Sequence, residues 1–249
     1  MKLTFNSLDN SYTVNRKKIF NGIQILPSDL RKIFDFAYDM CFGEGHHRNH
    51  RTGGQYGRKN GEMFCNTFQG KLAEVVLYSL FISNGIDCDE PDFGIYGEGV
   101  WDDSDLVIKG KKINVKSAAH FSNLLLLETK DWNSLGQYIP NLNDGSTSNY
   151  DYFVLVRIQP DIKKILRDSK YFYSNEVEKE KLEKVIFNEI WKYNIAGFNS
   201  NEQLIEVIKN KDILPQNSLL NGRIPMDSEN YYMQSGDMGD IDELIKILR

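Results

Sequence analysis

The sequence predicts a mixed α/β (α+β) protein, with a central mixed β-sheet flanked by helices. Three observations carry that expectation. The run YFVLVRI at 152–158 is apolar almost throughout, which suits a strand covered on both faces. Two segments ahead of it repeat apolar residues at three and four, the period of an amphipathic helix: Leu30, Ile33, Phe34, Ala37, Met40 and Cys41 in one, Leu72, Val75, Val76 and Leu80 in the other. Short strand-like pieces lie between, and strands interleaved with helices of this length build a layered domain. The 249 residues suit a single domain that can bury a full core without a disulfide or metal staple.

The elements follow in order. Residues 1–24 read as short strands, LTF, SYTVN and KKIF, separated by Asn, Asp and Gly turn chemistry. Pro27-Ser28 opens the first helix, which completes an N-terminal part of 1–42. A basic loop, GEGHHRNHRTGGQYGRKNGE, covers 43–62, and the second helix is expected over 67–83. Two strands follow at 105–108 and 112–117, then LLLLE, an Asn/Gly/Ser loop at 141–149 and the central strand. The remainder, 161–249, reads as helical: a charged helix at 175–196 stopped by Gly197, a capping box at Ser200-Asn201-Glu202-Gln203 and a last helix in DIDELIKILR, with a short strand possible at NYYMQ. The catalytic core of this layout spans about 66–160.

Composition narrows the classes. With 41% hydrophobic and 26% charged residues the chain is neither disordered throughout nor of low complexity. A net charge of −5, from 30 basic and 35 acidic residues, excludes a uniformly basic DNA-coating protein. It leaves a nucleic-acid partner open, because the field depends on where charges sit. Cys41, Cys65 and Cys88 form no CxxC and read as buried free thiols. The N-terminus lacks an apolar signal region and the most apolar run, at 124–127, is far too short for a membrane span, so a soluble cytoplasmic protein is expected.

The stretch WDDSDLVIKGKKINVKSAAH holds the most chemistry. It reads as a hairpin turning at Lys109-Gly110 or Gly110-Lys111. Either turn puts Asp105, Asn114 and Lys116 on one face and Leu106, Ile108, Ile113 and Val115 on the other. A carboxylate and an amide oxygen suit Mg²⁺, whose ligands are oxygens. A bound Mg²⁺ lowers the pKa of its water and polarises a phosphate, while a lysine orients the attacking water and offsets charge.

These residues resemble the PD-(D/E)XK nuclease superfamily, whose pattern is an acidic residue on a helix, an Asp on a strand, then (Asp/Glu)-X-Lys on the next strand. Glu74 in QGKLAE, Asp105 and Asn114-Val115-Lys116 stand in that order, across about residues 66–120. Ser104 precedes Asp105 where the family often has Pro, and Asn114 stands where it has Asp or Glu. The amide brings no negative charge, so more rests on Asp105 and Glu74. Asp102 and Asp103 are competing carboxylates. The resemblance implies a restriction-endonuclease-like core with Asp105, Asn114, Lys116 and Glu74 catalytic. Asp105, Glu74 and Asn114 would hold Mg²⁺, with Mn²⁺ substituting.

The loop at 43–62 suits DNA contact better than zinc, because its three histidines lie within five residues and no cysteine is close in sequence. Arg reads guanine, Asn and Gln read adenine, and Lys binds phosphate. The expected contacts are His46, His47, Arg48, Asn49, His50, Arg51, Gln55, Tyr56, Arg58 and Lys59, with Lys71, Ser117 and His120 beside the proposed site. Size, the lack of an accessory domain and the polar insertions point to a type II restriction endonuclease. That implies double-stranded DNA cut to 5′-phosphate and 3′-hydroxyl ends, a homodimer on palindromic sites and a cognate methyltransferase in the cell. The alternatives are another nuclease of the superfamily (repair, resolvase or transposition) or a DNA-binding protein made inactive by Asn114. The segment NYYMQSGDMGD has no assigned role.

Overall fold

The structure, a computed structural model, describes residues 2–43, 57–94, 105–144 and 149–249. Six α-helices and twelve strands make up its regular part: β1 (Thr4–Asn6), β2 (Ser11–Thr13), β3 (Ile23–Gln24), α1 (Pro27–Phe42), α2 (Asn60–Ser83), β4 (Leu106–Ile108), β5 (Lys111–Ala119), β6 (Leu124–Glu128), β7 (Tyr152–Gln159), α3 (Ile162–Asp168), α4 (Lys179–Phe187), β8 (Lys192–Ser200), α5 (Asn201–Lys209), β9 (Ile213–Leu214), β10 (Leu219–Leu220), β11 (Ile224–Pro225), β12 (Asn230–Gln234) and α6 (Ile241–Leu248). The mixed α/β class expected from the sequence is therefore present.

The central sheet runs β3-β8-β7-β5-β4. Only β5 and β7 are parallel; every other neighbouring pair is antiparallel. From Phe153 to Ile158, β7 is buried at every residue, as a run without polar alternation requires. One face of the sheet is covered by α1 and α2 through Phe34, Phe64, Phe68 and Leu72, with Trp191, just ahead of β8, packed against Phe68. The other face meets a three-stranded sheet, β6-β12-β9, and α5, with Leu125, Leu127, Trp132, Phe153, Leu155 and Leu204 between them. A four-stranded sheet, β1-β2-β10-β11, closes a smaller cluster around Leu3, Val14, Leu124 and Tyr232.

Four expectations need correcting. First, α2 begins at Asn60, seven residues early, so the basic loop ends at Lys59 rather than 62. Gly61 looks like a loop residue, but it is helical because the chain passes against α3's exit. A Cβ there would lie 1.9 Å from the Tyr171 carbonyl oxygen, and the Gly61 N–H donates to Ser174 O at 2.9 Å. Second, KKIF forms no strand. The Lys18 N–H donates to Asn123 Oδ1 and Ser235 Oγ, both at 3.1 Å, and the buried Arg157 guanidinium donates to the carbonyls of Lys18 and Ile19. Side chains thus take the groups a sheet would have paired.

Third, the helix expected over 175–196 stops at Phe187 and gives way to β8. Pairing with β7 along its whole length outweighs the helical pattern. Fourth, 161–249 is not mainly helical, since it contains β8 to β12. The capping box at Ser200, the strand at NYYMQ and the final helix do form as read.

Gly197, expected as a helix stop, instead sits in β8 at φ 151°, where a Cβ would lie 2.6 Å from Gly239 O and 2.7 Å from Met238 Cβ. Gly197→Ala should lower stability by about 2–3 kcal/mol, from strain and overpacking together. A urea titration giving an unchanged midpoint would contradict this packing.

The three cysteines are free and buried. Burial pushes the Cys41 thiol up to about 12 and that of Cys88 up to about 11, and raises Cys65 further in the same direction. At pH 8 the native thiols should therefore stay protonated, and alkylation should be slow until denaturant exposes all three. Rapid labelling of the folded chain at any one of them would refute the burial. Among the described residues no helix is long and apolar enough to cross a membrane.

Candidate metal and nucleic-acid site at the edge of the central sheet

The β4–β5 hairpin takes the first of its two possible registers. Leu106 faces Ile113, Val107 faces Lys112 and Ile108 faces Lys111, so the turn is Lys109-Gly110. Both turn residues have positive φ, 48° and 79°, which is the twist a two-residue hairpin needs. One step beyond Leu106, this register sets Asp105 opposite Asn114. Leu106, Ile108 and Ile113 join the core under α2, with Val115 packed against it. Ser117 points the same way, and its Oγ accepts from Gln69 Nε2 at 3.3 Å. By strand alternation Asn114 and Lys116 face the opposite layer.

Asp105 ends the ladder in an unusual manner. Its Oδ2 accepts from the Val115 N–H at 2.6 Å, where a continuing strand would offer a backbone carbonyl. The carboxylate thereby replaces strand backbone, and β4 pairs only as far as Ile113. Among the described residues, the outer edge of β5 has no strand partner from there to Ala119.

Asn114 stands on β5 where the pairing with β4 ends. It is 5% exposed, and its Oδ1 is buried without a hydrogen-bond partner among the described residues. A buried acceptor left so costs about 1–3 kcal/mol, which a ligand would recover. Its neighbour on β7 is the buried Phe153. Lys116, two residues on, is half-buried and makes no ion pair with another described residue.

Glu74 approaches from the α2 side. The start of α2 lies at the far end of β7, where Cys65 Sγ meets Ile162 O at 3.9 Å. Its end lies at the hairpin tip. There Arg249 Nη2 donates to the Asn84 carbonyl at 3.3 Å, and Lys109 Nζ donates to the Arg249 carbonyl at 2.6 Å. So α2 runs antiparallel to β5. Gln69 is level with Ser117, and Glu74 stands about 7.5 Å further along the helix, or about two strand residues. That height is Val115, where the Asp105 carboxylate is bound.

The flank agrees. Lys71 Nζ holds the Glu74 carboxylate and the Asp92 carbonyl, and the chain leading to Asp92 borders β4, with Asp89 N–H donating to Val107 O at 3.2 Å. Lys71, expected to contact DNA, is thus buried and engaged internally.

Other expected contacts lie apart. Arg58 and Lys59 precede the first turn of α2, about 20 Å along the helix from Glu74, in a depression shared with Asn60, Asn175 and Glu176. His120 follows β5, its ring packed edge-on against Phe20 at 5.7 Å and Phe121 at 5.1 Å. His46, His47, Arg48, Asn49, His50, Arg51, Gln55 and Tyr56 lie outside the described residues, as do Asp102 and Asp103.

Sequence reasoning overlooked Gln69, a buried amide that ties α2 to β5 one residue from Lys116. Its signal was a polar residue within the sheet-facing stripe of Leu72, Ala73 and Val76. Among the described residues no group of three or more His, Cys, Asp or Glu side chains is gathered to hold a metal. Here the donors are two carboxylates and an amide. In comparisons with known proteins, the chain matches no family model, no curated protein and no solved structure.

Replacing Asp105 by Ala removes the acceptor of the Val115 N–H. Amide exchange at Val115 should quicken, with a stability loss of about 1–2 kcal/mol. Unchanged protection of that amide would mean that Asp105 does not terminate the strand.

Proposed function

We propose that the chain is a Mg²⁺-dependent endodeoxyribonuclease of the PD-(D/E)XK type, acting on double-stranded DNA as type II restriction endonucleases do. The observation that supports this most is Asn114 Oδ1, a buried oxygen with no partner among the described residues, on β5 beside Asp105 and Lys116 where the pairing with β4 ends. The donor chemistry fits the ion, since Mg²⁺ takes oxygen ligands and keeps several waters. Asp105, Asn114 through Oδ1, and Glu74 would hold it. When bound, the ion supplies Lewis-acid polarisation of the scissile phosphate and a water of lowered pKa.

The chain's own residues do the rest. Asp105 has one oxygen fixed by the Val115 N–H, so its carboxylate is oriented before any ligand arrives. Lys116 brings a positive charge to the same face, where it offsets negative charge building on phosphate and orients the attacking water. Gln69 and Ser117 hold α2 and β5 in register, which keeps Glu74 at the height of Val115 and the Asp105 carboxylate. Cleavage of a palindrome calls for two copies about a two-fold axis, and a host carrying such an enzyme needs a methyltransferase that protects its own sites.

Supercoiled plasmid incubated with Mg²⁺ or Mn²⁺ tests the reading. The wild type should linearise it at fixed positions, and Asp105→Ala or Lys116→Ala should slow cleavage by about 100-fold or more. Cutting confined to branched DNA would select a resolvase-like relative instead. DNA binding without cleavage in either metal, even after Asn114→Asp, would establish an inactive binding protein.

A further inference from the structure

We propose that Lys71 is an internal cation that competes with the divalent ion for Glu74 and so sets how tightly the site takes metal. The inference rests on the nuclease reading above, and its test separates the two.

Lys71 is only 8% exposed. Its ammonium is enclosed by the Glu74 carboxylate, by the Asp92 carbonyl oxygen at 2.7 Å, and by the rings of Phe36 and Phe93, whose centroids lie 5.1 and 5.5 Å away. A buried ammonium needs such compensation, and cation–π contact supplies part of it. The same carbonyl and rings keep Lys71 in place when Glu74 turns towards another ligand. Its charge therefore stays beside the site whatever Glu74 does.

That charge falls where the donor set is already weak. Asp105 and Glu74 bring two negative charges and Asn114 brings none. With Lys71 included, the group carries a net charge of −1 towards an incoming dication. Coulomb repulsion between Lys71 and the ion adds to the loss of Glu74 Oε2, which faces the ammonium. An acid at position 114 would absorb this cost; an amide does not. Lys71 and Asn114 thus act in the same direction, towards a site that fills only at high metal concentration.

The test measures Mn²⁺ binding without DNA, by calorimetry and by electron paramagnetic resonance of the free ion. Lys71→Met keeps the length and lets sulfur rest against both rings; Lys71→Gln is a second neutral variant, and Lys71→Arg keeps the charge. Thermal melts establish that each is folded. The neutral variants should bind Mn²⁺ at least tenfold more tightly than the wild type and Lys71→Arg should not, and adding Asp105→Ala should abolish the gain. Equal affinity in wild type and Lys71→Met, with both weakened by Asp105→Ala, overturns the role of Lys71 and leaves the metal site standing. A gain from Lys71→Met in a chain that cuts no DNA supports the competition and removes the nuclease reading. Absence of Mn²⁺ binding in every variant overturns both.

Discussion

Backbone pairing on both sides of β7 is the constraint from which the rest of the architecture follows. Eight residues of this strand pair with β8 on one side, and seven of them pair with β5 in parallel on the other. Buried on both faces, each large apolar side chain of β7 contributes about 1.5–3 kcal/mol, and its amides have no water to turn to. A parallel neighbour cannot be reached by a tight turn, so the chain between β5 and β7 must cross over. It does so through β6, which joins a separate sheet over the Phe153–Leu155 face. Both layers around the central sheet thus answer one demand, to cover β7.

The candidate site is a by-product of the same order. With β7 and β8 inside, β5 comes near the edge, and β4 covers only its first part. Where the β4–β5 pairing ends, the Asp105 carboxylate caps the Val115 amide of β5. That places an acid at the border between strand and open edge. The opposite end of the sheet handles polar groups differently. Arg157, 1% exposed, is held by backbone carbonyls and by Asn123 and Asn194, with burial lowering its pKa. The contacts of Arg157 are all within the chain, so that end reads as structure, whereas Asn114 Oδ1 is buried with no hydrogen-bond partner among the described residues.

What could be read from the sequence follows the range of the interactions. The hairpin was legible because two faces of opposite character allow few registers, and both candidate turns gave the same sides to Asp105, Asn114 and Lys116. The Ser200 capping box was legible because it spans four residues. The segment 192–200 was not. Its fate depends on an eight-residue pairing with β7, and nothing local outweighs the charged helical pattern just before it. Gly61 and Gly197 misled for one reason: each reads as a breaker, while its small size serves a close approach, to Tyr171 in one case and Gly239 in the other. Lys71 was misread because a lysine on a polar stretch looks solvated. Only the packing of α1, with Phe36, and of Phe93 makes it internal.

On the nuclease reading proposed above, charge around Asp105 decides how these parts would work together. An acidic chain meeting DNA would need its negative groups matched locally, and Lys71 already matches Glu74. Asn114 lowers the anionic charge by one more unit relative to an acid at that position. Both features lessen repulsion towards a phosphate backbone and both weaken the hold on a dication. On that reading the balance would favour ion and phosphate entering together, because each supplies charge that the other lacks. Lys116, on the same face as Asn114, would then meet a phosphate whose charge the ion had already partly neutralised, and its task would be the orientation of water more than the attraction of DNA.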